Sequence, residues 1–155
     1  MNVTVQRGAA VAGIVVALAL AAGCGGDDEP SAEDYARQGN EVCERAATDA
    51  KDIERPTGDS SEAVEKYAIA FLPIAKRRLE GLRALEPTDE HQRFHDRLIV
   101  EQERFVAAVE TLGEAAGRDD RATSARAAQE GASAAGRSAL LFRELGLDAC
   151  AASPL

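Results

Sequence analysis

Four stretches of the chain after residue 30 predict helices, and in the first three the apolar residues recur mostly in steps of three and four, the spacing of one face of an α-helix. In the first stretch these positions are Tyr35, Val42, Cys43, Ala46, Ala50 and Ile53. In the second they are Val64, Tyr67, Phe71, Ala75, Leu79, Leu82 and Leu85. In the third they are Phe94, Leu98, Phe105, Val109 and Leu112. Each of these three stretches predicts an amphipathic helix.

The fourth stretch is rich in Ala, Gly and Ser up to Ser138 and then turns bulky. Its large apolar residues are Leu140, Leu141, Phe142 and Leu145. Gly131 and Gly136 would each cost about 1 kcal/mol relative to Ala in a helix interior. Small side chains would let this helix pack close to a neighbour.

Residues typical of helix ends separate the four stretches. The predicted N-caps are Ser31 with Asp34 three residues later, Asp59 or Ser60, and Thr88. Pro56 and Gly58 end the first helix, Pro87 ends the second, and the third breaks at residues 117–120. Pro73 lies inside the second helix and should kink it. Gly146 and Leu147 are typical of a left-handed helix stop with its apolar contact.

No stretch predicts a β-strand, and the turns between the helices are short. The predicted fold is therefore all-α, a four-helix up-down-up-down bundle over residues 31–150, followed by a tail at 151–155. Helical content should lie far above the average of roughly one third.

Residues 1–23 have the pattern of a secretory signal peptide. Arg7 is the only charged side chain among them, and an apolar run follows from Ala9 to Ala22. A bilayer-spanning helix needs roughly 20 apolar residues, so this run is too short to span. A core helix would need a polar face, which this segment lacks.

The signal segment ends in Leu20-Ala21-Ala22-Gly23-Cys24, which resembles the lipobox of bacterial lipoproteins. The family usually has Leu three residues before the Cys, where this chain has Ala21. The resemblance implies that Cys24 is acylated by diacylglycerol and becomes the first residue of the mature protein. The acyl chains would hold the protein at the membrane. Residues 25–30 would then form a flexible acidic tether of at most about 25 Å.

Charge and composition exclude some functions. The chain has a net charge of −9, and removal of residues 1–23 takes away Arg7 and no acid, which leaves −10. Such a chain repels nucleic acid and anionic lipid headgroups. It has no Trp, two Tyr and four Phe, so stacking sites for sugars or bases are disfavoured.

Cys43 and Cys150 lie on the first helix and just beyond the fourth, which an antiparallel bundle brings to the same end. An oxidising compartment would preserve a disulfide between them. A redox pair is the alternative, although the two lack C-x-x-C spacing. The segments "NEVC" and "LGLDAC" around these cysteines resemble a group of small helical lipoproteins of high-GC Gram-positive bacteria. That group has no established activity, so the resemblance implies a fold and a location only.

His91 and His95 are four residues apart on the third helix and could share a metal ion. Gln92 replaces the Glu of the H-E-x-x-H protease motif. A third ligand could come from Asp34, Glu144 or Asp148 at the same end of the bundle. The alternative is an ordinary pair of hydrogen-bonded structural histidines.

Three further features have simpler structural interpretations. Residues 58–61, "GDSS", are similar to the nucleophile block of GDS-type esterases, yet helix capping explains them better. The cluster Lys76-Arg77-Arg78 predicts a solvated face paired with acids. Glu101 and Gln102 flank the third apolar stripe and predict either a polar patch inside the bundle or boundary positions.

These observations predict a lipid-anchored cell-envelope protein on the extracytoplasmic face of a bacterial cytoplasmic membrane. It would be a non-enzymatic binding or accessory module that uses no cofactor and binds no nucleic acid. Its partner would be an envelope protein or a small ligand. The alternative is a metal- or haem-binding lipoprotein that uses His91 and His95.

Overall fold

The computed structural model describes residues 31–58 and 60–152, and this part of the chain is helical with no β-strand. Its helices are α1 (Ala32–Ala50), α2 (Ser61–Arg83), α3 (Asp89–Gly117), α4 (Arg121–Glu144) and α5 (Asp148–Ala152). Consecutive long helices pack against each other, and α5 contacts both α1 and α4. The predicted all-α bundle is confirmed. Cys24, together with the predicted signal peptide and tether, lies outside the described residues.

The core has two clusters, one toward each end of the bundle. The first contains Tyr35, Val42, Cys43, Leu82, Leu85, Leu98, Leu141, Phe142, Leu145, Leu147 and Cys150. We call this the disulfide end, where α1 and α3 begin and α2 and α4 finish. The second cluster, toward the opposite end, contains Ala68, Phe71, Ala75, Leu79, Phe105, Val106, Val109 and Ala134. Most of these positions belong to the predicted apolar stripes, because the helices bury the faces that the stripes define.

Side-chain caps begin three of the long helices. Ser31 accepts a hydrogen bond from the backbone N–H of Asp34, and Asp120 accepts one from Thr123. At the start of α2, Ser60 is the cap and accepts from the N–H of Ala63, while Asp59, the other predicted candidate, lies outside the described residues. Thr88 occupies the N-cap of α3 but makes no side-chain cap bond, so its predicted capping role is wrong in that respect.

α1 ends earlier than predicted, and the proline inside α2 does not interrupt that helix. α1 ends at Ala50, and Ile53 lies beyond it, partly buried against the second core cluster. α2 runs through Pro73 as one helix from Ser61 to Arg83. The Pro73 side chain is exposed, so its ring displaces no core residue. The glycine-rich α4 is helical over its whole predicted length.

The stop at the end of α4 is as predicted. Gly146 has φ +68°, and the N–H of Leu147 donates to the carbonyl of Phe142 at 2.8 Å. Leu147 is fully buried and makes the apolar contact that accompanies this stop. The chain then forms α5, which the sequence did not predict because five residues show no periodicity. Residues 151 and 152 are therefore helical, and the predicted boundary of the bundle at 150 falls inside α5.

The disulfide joins α1 to α5. Cys43 and Cys150 are bonded across a sequence separation of 107 residues, with both side chains buried. Asn40 adds two hydrogen bonds beside it, from its Nδ2 to the carbonyl of Gly146 and from the N–H of Ala149 to its Oδ1. The predicted pairing is confirmed, because the antiparallel order returns the chain to the start of α1.

No helix within residues 31–58 and 60–152 is sufficiently long and apolar to cross a bilayer.

Candidate functional site

Three rings from α1 and α3 meet at the disulfide end. The hydroxyl of Tyr35 lies 3.0 Å from Nδ1 of His95, and the His95 ring meets the Tyr35 ring edge-on at 5.8 Å between centroids. The His91 ring lies 5.9 Å from that of Tyr35. Nδ1 of His91 is buried and has no hydrogen-bond partner among the described residues. The two histidines therefore share one aromatic neighbour.

The suggested third metal ligand is not at this site. No group of three or more His, Cys, Asp or Glu side chains within the described part of the chain could hold a metal ion. Asp34 instead accepts a hydrogen bond from Ser31 and pairs with Arg37 at 2.9 Å. These contacts lower the pKa of Asp34, the bond from Arg37 most of all. The prediction that Asp34, Glu144 or Asp148 completes a metal site was wrong, because antiparallel order places them at one end but not at one point.

A chain of buried polar side chains crosses the bundle from α2 through α3 to α4. Nη2 of Arg78 donates to Oε1 of Gln102 at 2.8 Å. Nε2 of Gln102 then donates to Oγ of Ser138 at 2.7 Å. All three side chains are buried. The predicted polar patch inside the bundle is therefore confirmed at Gln102.

Arg78 contradicts the solvated face predicted for the basic cluster. Lys76 and Arg77 are exposed and pair with Glu110 and Asp49, each at 2.9 Å, as expected. Arg78 is only 5% exposed. Each helical residue is turned about 100° from the one before it, so three consecutive cations cannot share one face.

The guanidinium of Arg78 is poorly compensated. Its Cζ lies 5.5 Å from the centroid of the Phe105 ring, which supplies a cation–π contact. No carboxylate among residues 31–58 and 60–152 pairs with it, and its buried Nε has no hydrogen-bond partner there. Burial lowers its pKa to about 10, so the group still carries its charge at neutral pH.

The sequence contained a signal for Arg78 that was missed. Phe71, Ala75, Arg78 and Leu82 follow steps of four, three and four. Arg78 thus occupies a core position of the second stripe. The neighbouring Lys76 and Arg77 concealed it, because a run of cations is typical of a surface.

Arg78 also borders a groove of about 370 Å³ between α1 and α2. The charged residues along this groove are Arg45, Asp49, Arg77, Arg78 and Glu80. They carry three positive and two negative charges, a local excess of one positive charge in a chain of net −9. The groove thus combines a buried cation with access from the surface.

Glu101 is paired on the other side of α3. Its two oxygens accept hydrogen bonds from Arg104 and Arg137, each at 2.7 Å. The pair with Arg137 links α3 to α4 at a separate groove of about 530 Å³. This carboxylate is therefore already occupied.

The "GDSS" segment serves the start of α2. Ser60 is its N-cap, and Oγ of Ser61 donates to a carboxylate oxygen of Asp119. His91 and His95 lie toward the opposite end of the bundle, so the described residues place no histidine beside these serines. The esterase resemblance consequently has no catalytic geometry behind it.

No protein-family model, curated protein or solved structure matches this chain.

Proposed function

We propose that this chain is a lipid-anchored helical bundle of the bacterial cell envelope, facing away from the cytoplasm. In this proposal Cys24 carries the acyl chains, and residues 31–152 act as a non-enzymatic binding or accessory module. The partner is an envelope protein or a small ligand.

The observation that supports this proposal most is that the three cysteines have different roles. Cys43 and Cys150 are consumed by a buried disulfide, the kind of bond that persists outside the cytoplasm. Cys24 remains, at the end of an apolar segment with small residues before it. This distribution supports secretion followed by acylation.

A binding role is supported by where the unusual chemistry lies. The poorly compensated Arg78 borders a surface groove, whereas the histidines contact Tyr35 at the disulfide end. A catalytic role would require a nucleophile and a base within hydrogen-bond reach of each other. The serines of "GDSS" and the two histidines lie toward opposite ends of the bundle.

Fractionation of a bacterial host tests the anchor. The wild-type chain should sediment with membranes and partition into the detergent phase of a Triton X-114 extract. Cys24→Ser should remain uncut or appear in the aqueous phase. The matched control, Cys43→Ala with Cys150→Ala, should partition as the wild type does. A wild-type chain in the aqueous phase, or a Cys24→Ser variant that is cut and partitions as the wild type does, would overturn the proposal.

A metal- or haem-binding role is a second candidate, favoured by the partnerless Nδ1 of His91 beside His95. Metal and haem analysis of protein purified without chelator tests it, with His91→Ala/His95→Ala as the comparison. Stoichiometric metal or haem lost in the double variant would support this role. Substoichiometric content unchanged in the variant would remove it.

A further inference from the structure

We propose that the groove between α1 and α2 binds a small oxyanion, a carboxylate or a phosphate, with Arg78 as its buried anchor. This inference rests on the proposed binding role and names a ligand class for it. It does not depend on acylation of Cys24.

Arg78 has hydrogen-bond donors that the described part of the protein does not use. A guanidinium has five N–H donors arranged to match the oxygens of carboxylate and phosphate groups. Within the described chain, Arg78 uses one nitrogen, Nη2, for Gln102, while Nε lies buried without a partner. An oxyanion entering from the groove would supply acceptors for the remaining donors.

Without an anion, the buried charge of Arg78 lowers the stability of the fold. A buried charge is strongly destabilising unless it is paired, and an amide oxygen and an aromatic ring compensate only part of that cost. The helix could accommodate Met or Leu at this position of the stripe. A cation retained there is explained if it meets an anion in the working protein.

The other charged residues along the groove also favour a small anion. Arg45 makes no ion pair with the described residues and stands on the α1 side, while Arg77 is held by Asp49. Glu80 is the carboxylate of the groove without such a pair, and it would restrict the site to a compact anion.

The volume also limits the ligand. About 370 Å³ accommodates a phosphate or a small carboxylate with water, near the lower end of the range for ligand pockets. Nε of Arg78 is shielded from solvent, so binding requires the guanidinium to shift toward the groove. During that shift, Nη2 of Arg78 would keep its hydrogen bond to Gln102.

Titration with inorganic phosphate, sodium acetate and sodium chloride at constant ionic strength tests the inference. The full-length gene is expressed with ¹⁵N in a bacterial host, the protein is purified from whichever fraction contains it, and the Nε–Hε resonance of Arg78 is followed. Phosphate or acetate should shift this resonance with saturation, and chloride should not. The oxyanion that binds more tightly identifies the class.

Three variants make the test specific. Arg78→Met, followed by calorimetric titration, should weaken oxyanion binding by at least about tenfold, since the anchoring donors are lost. Arg45→Met replaces an exposed side chain, so this variant should fold as the wild type does. It should weaken binding about threefold or more. Arg104→Met, exposed and outside the groove, should leave binding within about twofold.

The absence of saturable binding in the wild type would overturn the inference. Equal binding by wild type, Arg45→Met and Arg78→Met, or an equal response to chloride, would overturn it as well. Fractionation shows whether Cys24 anchors the chain, and titration shows whether the groove binds an oxyanion. The two proposals can therefore be rejected independently of each other.

Discussion

Arg78 on α2 and Gln102 on α3 are joined inside the bundle by a hydrogen bond of 2.8 Å, and Gln102 passes the connection on to Ser138 of α4. One amide side chain thus accepts a hydrogen bond from a cation on one helix and donates one to a hydroxyl on another. An apolar interface would tolerate small shifts of one helix along another. These directional hydrogen bonds therefore favour one register of α2, α3 and α4.

Gln102→Leu should be among the most destabilising single changes in the core. It removes the acceptor of a buried charge, and hydrogen bonds to charged groups are worth about 1.5–3 kcal/mol. We expect the free energy of unfolding to fall by about 2–4 kcal/mol. Urea denaturation followed by circular dichroism measures it.

Arg78→Met combined with Gln102→Leu should recover more than half of that loss, because replacing both partners by apolar groups is often close to neutral. Gln92→Leu, an exposed change on the same helix, should alter stability by less than about 0.5 kcal/mol. A double variant as unstable as the sum of its single changes would contradict the coupling between Arg78 and Gln102.

Reduction of the Cys43–Cys150 disulfide should destabilise the bundle markedly. The bond closes a loop with a sequence separation of 107 residues. Constraining such a loop is worth about 4–5 kcal/mol in the chain-entropy model, and measured losses are about 2–5 kcal/mol. Urea midpoints with and without dithiothreitol should show it. Equal midpoints would mean that α5 is held by its other contacts alone.

Gly39→Ala should destabilise the junction of α1 with α5. A Cβ at this position would lie 2.5 Å from Cδ2 of Leu147 and 3.2 Å from Cδ1 of Leu85. Both leucines are buried and have little room to move, so overpacking should cost about 1–3 kcal/mol. The thermal unfolding midpoint should fall accordingly.

Gly136→Ala is the matched control for that change. Nothing lies within 4 Å of its added Cβ, and the position is inside α4. Ala should stabilise the helix there by up to about 1 kcal/mol. A Gly39→Ala variant as stable as the wild type would show that Leu147 can move out of its buried position.

The stability of the protein should decrease as the pH falls below about 6.5. Burial lowers the pKa of His95 from its ordinary value, against a smaller opposite effect of Asp96. The unfolded chain therefore takes up a proton before the folded one does, and this contribution to stability is lost as the pH falls from 6.5 toward the folded pKa. Urea denaturation at intervals between about pH 7.5 and pH 5 measures the slope.

His95→Gln should remove most of that slope, while its amide can still bond to the Tyr35 hydroxyl. His91→Gln is the matched control and should keep the His95 contribution. The carboxyl groups of Asp34, Asp119 and Asp120 have pKa values lowered from 3.8, so their contributions are lost at more acidic pH. An unchanged slope in His95→Gln would contradict the assignment.

The helices and the disulfide followed from local patterns. The steps of three and four marked the buried faces, and turn residues such as Gly146 marked the ends. Antiparallel order was then enough to bring Cys43 and Cys150 together. These features depend on neighbours along the chain or on the simplest bundle topology, which is why the sequence reveals them.

The spacing of the α2 stripe places Arg78 at a core position, but the contacts of the candidate site are long-range. Phe105 and Gln102, which contact the Arg78 guanidinium, come from another helix. The same applies to the third ligand of His91 and His95, which is missing among the described residues, because sharing one end of a bundle does not bring side chains to one point. α5 was missed because five residues show no apolar periodicity, and its links to α1 through the disulfide and Asn40 are long-range contacts.

The intact mass of the protein isolated from its native host, before and after reduction and alkylation, tests the proposed anchor and the disulfide together. We expect a chain that begins at Cys24 and carries acyl chains, with two thiols that become available for alkylation only on reduction. A mass without acyl groups, or a chain still containing residues 1–23, would contradict the anchor. Alkylation of Cys43 and Cys150 without reduction would contradict the disulfide-closed bundle.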